Sequence, residues 1–258
     1  MAEAIHSPGA AKMAVRGLTR RFGGLVAVNN VDLDLHEGEV HAVIGTNGAG
    51  KSTLINMLSG EIAASSGTIT LEGRDVTSMP QPKRAKAGIG RSYQRTTIFP
   101  EFTVLENCRL TAQAQAQPRP WFIWEPAQHC GASLDRAELA LERAGLTEHA
   151  KRVAGSLSHG AKRQLEVAMC LATEPRVLLL DEPLAGMGAE ETERMLGLLQ
   201  TLKKGHAVLL VEHDMDAVFR IADRITVMVN GSVVATGTPA QIRVDPVVRT
   251  AYLGEEHA

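Results

Sequence analysis

Residues 45–53 form a glycine-rich run that ends in a lysine followed by two hydroxyl side chains. The run fits the pattern G-x-x-x-x-G-K-[ST], in which backbone N–H groups curl around a phosphate and the next helix adds the positive end of its dipole. Its flanks agree, because residues 40–44 are predicted to form a buried strand and residues 54–59 a helix that Gly60 can end. The sequence therefore predicts that a nucleoside triphosphate binds at this loop.

Within the loop, Lys51 is predicted to reach the β- and γ-phosphates, and the Ser52 hydroxyl to hold Mg²⁺. A glycine-rich turn that binds nothing is the alternative, which the predicted strand and helix on either side disfavour. The predicted nucleotide-binding residues of the loop are Gly45, Asn47, Gly48, Ala49, Gly50, Lys51, Ser52 and Thr53.

Two adjacent acids, Asp181 and Glu182, directly follow the apolar run 177–180. Ligands of α/β sheets bind outside the carboxyl ends of the strands, so both carboxylates are expected beside the phosphate loop. Asp181 is predicted to hold Mg²⁺ through water, and Glu182 to polarise the water that attacks the nucleotide. A solvated turn is the alternative interpretation, and the presence of a phosphate loop disfavours it.

The composition of the 258-residue chain is that of an ordinary globular protein, with 44% hydrophobic and 22% charged residues and a net charge of −2. A charge balance this small offers no basic field for nucleic acid, and no apolar run approaches the roughly 18 residues of a membrane span. Cysteines 108, 130 and 170 show no metal spacing and are interpreted as free thiols in a reducing cytosol. A membrane role is therefore expected only through a partner.

The periodicity of apolar residues predicts alternating strands and helices around these motifs. Antiparallel strands are predicted within 13–35, and helices at 103–116 and 133–144, the second with Ser133 as a possible N-cap. From residue 158 onward, helices are predicted at 161–172, 189–203 and 215–222, strands at 176–180, 207–211 and 224–229, and a short helix capped by Thr238.

Together these elements predict an α/β fold: a P-loop NTPase core with a parallel sheet, an N-terminal antiparallel β subdomain and an inserted helical subdomain. The predicted boundaries are one domain over 13–258, a helical subdomain at about 94–156, a C-terminal extension at about 231–258 and a flexible tail over 1–12.

Four motifs in order resemble those of the ABC ATPases: the phosphate loop, the signature Leu157-Ser158-His159-Gly160, the strand end Leu180-Asp181-Glu182-Pro183, and Glu212-His213-Asp214. The resemblance implies that Phe22 stacks on adenine, that Gln94 reaches Mg²⁺ and the attacking water, and that His213 lies near the γ-phosphate. A core phenylalanine and a solvated loop glutamine are the alternatives for Phe22 and Gln94.

The resemblance also implies that Ser158 and Gly160 contact the γ-phosphate of ATP bound to a second subunit, so that two chains pack head to tail around two ATP molecules. Departures from the family pattern are His159 in the signature, which is expected to point away from phosphate, Thr46 in the loop, and the lack of an aspartate within 185–188.

Residues 21–28, 102–107 and 245–254 are similar to the ATPases of bacterial importers for branched-chain and other hydrophobic amino acids. Residues 181–187 are also similar to the urea and short-amide branch. The expected partners are membrane-spanning permease subunits, an identical or paralogous second ATPase, and indirectly a periplasmic substrate-binding protein, with the chain held at the inner face of the plasma membrane. Residues 94–102, in which Ile98, Phe99 and Phe102 are expected to be exposed, are predicted to receive a cytoplasmic helix of the permease, and local packing is the alternative.

Three other classes remain as alternatives at this point. A lipopolysaccharide exporter has a similar single ATPase module. Soluble ABC proteins of translation or DNA repair usually carry two modules or a long coiled coil, which this chain lacks. A regulator that binds ATP without hydrolysing it is disfavoured by Lys51, Glu182 and His213.

Overall fold

Ten strands form two sheets within residues 10–93, 97–116 and 131–253, the part of the chain that the structure, a computed structural model, describes. The strands are β1 Met13–Phe22, β2 Leu25–Leu35, β3 Val40–Gly45, β4 Ser66–Leu71, β5 Arg74–Asp75, β6 Ile89–Arg91, β7 Val177–Asp181, β8 Ala207–Val211, β9 Arg224–Val229 and β10 Ser232–Gly237. One sheet has the order β2-β1-β4-β5 and is antiparallel. The predicted antiparallel strands over 13–35 are therefore confirmed.

The second sheet has the order β10-β9-β3-β8-β7-β6. Strands β9, β3, β8, β7 and β6 are parallel, and β10 pairs antiparallel with β9 at one edge. Strand β3 leads into the phosphate loop and lies between β8 and β9, while β7 lies on the far side of β8. The carboxyl ends of β3, β7 and β8 therefore meet at one edge of the sheet, where α/β sheets bind their ligands.

Helices cover both faces of the parallel sheet. Their bounds are α1 Lys51–Ser59, α2 Gln81–Ala87, α3 Val104–Ala116, α4 Gly131–Arg143, α5 His159–Leu171, α6 Ala189–Leu202, α7 Met215–Ile221, α8 Pro239–Val244 and α9 Pro246–Leu253. The predicted cap of the short helix α8 is confirmed, because Thr238 forms a reciprocal capping box with Gln241.

The predicted N-cap at Ser133 is wrong. Helix α4 begins at Gly131, and Ser133 lies inside its first turn, fully buried. An N-cap needs extended backbone angles, whereas the packing of this turn against the core holds Ser133 in the helix.

Alternation along the parallel strands divides the core into two layers. Leu178 and Leu180 of β7 pack with α3, α4, α5 and α6 on one face of the sheet. Val177 and Leu179 of the same strand pack on the other face with α1 and the antiparallel sheet. Successive side chains of a strand point to opposite faces, so a strand buried on both sides reads as a continuous apolar run.

Helices α3 and α4 pack on each other and on α5, next to the loop that precedes α3. In that loop Phe99 and Phe102 stack with ring centroids 5.7 Å apart and remain 48% and 43% exposed. Ile98 was expected to be exposed with them, but it is half-buried and packs against the core beneath. Trp121 and Trp124, for which the sequence allows either a partner surface or a small satellite core, lie outside the described residues. Cys108 and Cys170 are buried free thiols, as expected, and position 130 lies outside the described residues.

Candidate functional site

The phosphate loop joins β3 to α1, and two of its glycines are required by neighbouring backbone. A Cβ on Gly50 would lie 2.3 Å from the Ala27 carbonyl oxygen of β2, and Gly50 has φ +97°. A Cβ on Gly45 would lie 2.2 Å from the Met228 carbonyl oxygen of β9. Gly48 has φ +79° with open space around it, so its role is the curvature of the loop. Both sheets therefore press directly on this loop.

A cleft of about 550 Å³ opens over the loop, a volume in the range of ligand sites. It lies between the loop, the β1–β2 turn and the β9–β10 turn, and Glu182 reaches it from the end of β7. Its lining residues are Phe22, Leu25, Val26, Ala27, Asn47, Gly48, Ala49, Gly50, Lys51, Ser52, Thr53, Glu182, Asn230 and Gly231. The structure thus brings residues 47–53 of the loop, Phe22 and Glu182 together around one cavity, and Gly45 lies outside its lining.

The cationic side chain of the loop folds back over it. Lys51 Nζ donates to the carbonyl oxygens of Gly45 at 2.5 Å and Thr46 at 2.9 Å. Ser52, in the first turn of α1, is exposed towards the cleft. Phe22 is 44% exposed at the end of β1, and the Arg20 guanidinium lies 4.5 Å from its ring centroid. An accessible aromatic ring at the rim fits the predicted contact with a nucleobase.

The two acids after β7 occupy different environments. Asp181 is 5% exposed, and burial raises the pKa of its carboxyl, an effect that the Arg91 guanidinium at 3.9 Å opposes. Glu182 follows in the left-handed region at φ 48°, which is uncommon for a residue with a side chain and is typical of functional sites. This turn directs Glu182 into the cleft while Asp181 stays beneath it.

Arg91 was not singled out from the sequence. Its guanidinium donates to Ser59 Oγ at 2.6 Å and to the Asn56 side chain, and it lies 4.7 Å from the Tyr93 ring centroid. It therefore ties the end of α1 to Asp181 and to the segment that leads to residue 94. Gln94 itself lies outside the described residues.

The end of β8 contributes a buried acid and an exposed histidine. His213 is 64% exposed by side chain, and its Nδ1 lies 3.8 Å from Glu182 Oε1. Glu212 is 1% exposed and accepts from the N–H groups of Leu184 at 2.8 Å and His213 at 3.2 Å. Burial raises the pKa of the Glu212 carboxyl. Glu212 thus supports the turn that carries Glu182, and its place after an apolar strand is the signal that could have identified it.

The signature residues do not line the cleft. Ser158 caps α5, with its Oγ accepting from the Ala161 N–H at 3.2 Å. Together with Gly160 it lies against the start of α6. His159 Nε2 lies 3.0 Å from the Ala185 carbonyl oxygen, against Gly186. The departures at His159 and at 185–188 therefore meet in the fold.

A family model described as ABC transporter matches residues 28–185, more than half of the chain. The chain belongs to the ABC transporter family. A second model, described as branched-chain amino acid ATP-binding cassette transporter, matches residues 232–258.

Curated members of the family match nearly the whole chain. The high-affinity branched-chain amino acid transport ATP-binding protein LivG of Salmonella typhimurium is 46% identical over 94% of this chain and 98% of its own length. The corresponding protein BraF of Pseudomonas aeruginosa is 42% identical with the same coverage. Alignments of this length include both the phosphate loop and the signature.

Solved cassettes of the ABC transporter family have the same fold. A nucleotide-free ATP-binding cassette superimposes with a TM-score of 0.83 at 29% identity, covering 94% of this chain and 98% of the other. An ADP conformation of such a cassette gives a TM-score of 0.82 at 29% identity, covering 95% and 100%. The predicted fold class is confirmed, and the chain is an ATPase of the ATP-binding cassette type.

Among residues 10–93, 97–116 and 131–253, no helix combines the length and the apolar character that crossing a bilayer requires. Nor do three or more histidine, cysteine, aspartate or glutamate side chains group there as a metal site.

Proposed function

We propose that this chain is the ATP-hydrolysing subunit of a bacterial importer for branched-chain or other hydrophobic amino acids. The observation that carries the substrate class is the C-terminal match at residues 232–258 to the branched-chain amino acid cassette transporters. The identity of 46% to LivG over 94% of the chain supports the same branch.

The cleft over the phosphate loop is proposed to hold ATP, with Phe22 stacked on adenine. Lys51 would then exchange its two carbonyl partners for the β- and γ-phosphates, whose negative charge is the better partner for an ammonium. Ser52, Asp181 and Gln94 would hold Mg²⁺, since hydroxyl, carboxylate and amide oxygens are the hard ligands that this ion prefers. When bound, Mg²⁺ neutralises charge that develops on the phosphates.

Glu182 is proposed to accept the proton of the attacking water. As the water oxygen bonds to the γ-phosphorus, the bond to the β-phosphate oxygen breaks and ADP and phosphate separate. The left-handed backbone at Glu182 and the buried support of Glu212 hold this carboxylate at the cleft. His213, 3.8 Å from Glu182, is proposed to contact the γ-phosphate.

A second ATPase subunit is proposed to complete each site. Ser158 and Gly160 lie outside the cleft of their own subunit, and the capped start of α5 offers a hydroxyl, an N–H group and a helix dipole to an anion. In a head-to-tail pair these groups would close over the γ-phosphate of the neighbour. The second subunit is an identical copy or a paralogue.

Membrane attachment is proposed to come through permease subunits, which place the chain at the inner face of the plasma membrane and receive substrate from a periplasmic binding protein. Phe99 and Phe102 form an exposed aromatic pair beside the segment that leads from Gln94, and this surface is proposed to receive a cytoplasmic helix of the permease. Phe99→Ala is expected to leave ATP binding unchanged and to uncouple ATPase activity from transport. Unchanged transport-coupled ATPase activity in that variant would refute the docking surface.

Replacement of Glu182 by glutamine tests the hydrolytic role. The amide keeps the shape of the side chain but accepts a proton poorly, so Glu182→Gln should retain ATP binding and lose turnover by about 100-fold or more. Glu193→Gln is the matched control, since Glu193 pairs with Arg220 on the surface. Turnover of Glu182→Gln within tenfold of the control would exclude the proposed role.

Co-purification of the permease companions, followed by transport assays with amino acids and with urea, separates the importer branches and the lipopolysaccharide exporter.

A further inference from the structure

The carboxylate of Glu191 lies directly on the signature turn of its own subunit. Its Oε1 accepts from the Ser158 hydroxyl at 2.9 Å and from the Gly160 N–H at 3.2 Å. A Cβ on Gly160 would lie 2.4 Å from the Glu191 carboxyl carbon, so the carboxylate packs directly against this glycine. One oxygen thus takes both donors that the start of α5 offers.

These donors are the ones proposed above to bind the γ-phosphate of ATP on a second subunit. The Ser158 hydroxyl, followed by the N–H groups of Gly188 and Gly160, lowers the pKa of the Glu191 carboxyl, so these donors favour its charged form. A helix N-terminus with a capping hydroxyl favours negative charge of any kind, carboxylate or phosphate. One N–H and one hydroxyl hydrogen cannot serve both at once.

We propose that Glu191 occupies the signature site of its own subunit in place of phosphate and must leave it when the γ-phosphate of the second subunit's ATP arrives. The inference rests on the proposed function, because only the head-to-tail pair of subunits with ATP between them, here called the nucleotide sandwich, brings that phosphate to Ser158 and Gly160. Two anions within hydrogen-bond distance of the same donors repel each other. Closure of the sandwich is therefore an exchange of anions, and Glu191 raises the ATP concentration that closure requires.

The neighbourhood of Glu191 provides a place for the displaced carboxylate. Glu191 is the third residue of α6, and the N–H of the N-cap Gly188 also stabilises its charge. Arg194 follows one turn later and adds further attraction. Rotation away from Gly160 therefore leaves the carboxylate with partners on its own helix.

A second contact joins the same two segments. His159 Nε2 lies 3.0 Å from the Ala185 carbonyl oxygen, and the Ala185 N–H donates to the Glu182 carbonyl oxygen at 3.2 Å. The signature turn therefore contacts the segment 185–191 at both ends, through His159 at Ala185 and through Ser158 and Gly160 at Glu191. Ala185 also connects this segment to the turn of Glu182, the proposed base.

The test uses the full chain, co-expressed and purified with its transporter companions. Binding of a γ-phosphate analogue that resists hydrolysis, adenylyl imidodiphosphate with Mg²⁺, is compared with binding of ADP. Glu191→Ala and Glu191→Gln should each lower the half-saturating analogue concentration by about fivefold or more, the range of a typical coupling between sites. ADP, which has no γ-phosphate, should bind all forms within about twofold.

Glu190→Ala is the matched control, because it removes the same charge at the neighbouring position, where the carboxylate pairs with Arg194 at 3.4 Å. It should bind both nucleotides like the unmodified complex. Glu191→Gln keeps an acceptor for the N-cap of α6 and carries the test if Glu191→Ala does not fold.

Analogue affinities of the Glu191 variants equal to those of Glu190→Ala, or weaker than them, would overturn the inference. An equal shift for ADP would overturn it as well, since the effect would not depend on the γ-phosphate. If the unmodified complex binds neither nucleotide, the proposed function itself fails. This outcome is distinct from failure of the inference, because it is seen without any substitution at Glu191.

Discussion

The buried guanidinium of Arg84 anchors the helix that carries the phosphate loop. Arg84 is 1% exposed and donates to four backbone carbonyl oxygens: Met57 at 2.6 Å, Leu58 at 2.8 Å, Thr77 at 2.7 Å and Met79 at 2.8 Å. Met57 and Leu58 lie in the last turn of α1, whose carbonyl groups have no partner within the helix. Arg84 therefore caps the far end of the helix whose first turn faces the cleft.

Replacement of Arg84 by methionine keeps much of the volume and removes these donors. The Met57 carbonyl keeps the Gly60 N–H at 3.1 Å, and the other three lose the guanidinium. A buried carbonyl without a donor costs about 1–3 kcal/mol. Loss of the desolvation cost of the buried charge offsets part of this sum, so we expect Arg84→Met to lower the free energy of unfolding by about 3–5 kcal/mol.

Urea unfolding followed by far-UV circular dichroism measures this loss. Lys83→Met is the control, because Lys83 is the exposed neighbour on the same helix and carries the same charge. Its substitution should change the free energy of unfolding by less than about 0.5 kcal/mol. A difference of less than about 1 kcal/mol between the two variants would refute the assignment of Arg84 as the cap of α1.

Two further predictions concern pH and the phosphate loop. Burial lowers the pKa of His41 to about 4 from 6.5, so between these pH values the unfolded chain binds more protons than the folded chain. The free energy of unfolding should therefore fall by about 3 kcal/mol as the pH drops through this window, and by less in His41→Gln. Urea unfolding midpoints measured at several pH values would test this. Gly50→Ala should abolish ATP binding and lower the thermal midpoint because its Cβ would meet the β2 backbone, whereas Gly48→Ala, with open space around it, should retain more of both; equal losses would contradict the steric argument.

Local signals were sufficient for much of the fold. The apolar runs at β7 and β8 predicted strands buried on both faces. In the structure every residue of both strands is buried. Gly60 and Gly88 end α1 and α2 in the left-handed conformation, as glycines after periodic segments predict. These signals depend on a few neighbouring residues, so they survive without knowledge of the rest of the chain.

Other features depended on contacts between distant residues. The start of α4 was misplaced because packing buries Ser133 within the helix, and Ile98 was misread because the core lies directly beneath its loop. In the sequence, a serine at an N-cap cannot be told from a serine inside a helix, nor an exposed loop isoleucine from one that packs on the core. Only burial in the folded chain distinguishes these settings.

By itself, the sequence determined that a phosphate-loop pattern occupies 45–53, that acids follow an apolar run at Asp181, and that the whole resembles one family of ATPases. These are properties of motifs that are contiguous in the chain. Only the tertiary structure decided that Arg91 reaches Asp181, that Glu212 supports the turn of Glu182, and that Glu191 sits on the signature. The partners in these contacts are far apart in the chain: 28 residues separate Glu212 from Leu184, and 90 separate Arg91 from Asp181. The first two pairs meet because parallel strands bring their ends to one edge of the sheet, and the third joins the starts of two helices, α5 and α6. No local pattern in the sequence records any of these contacts.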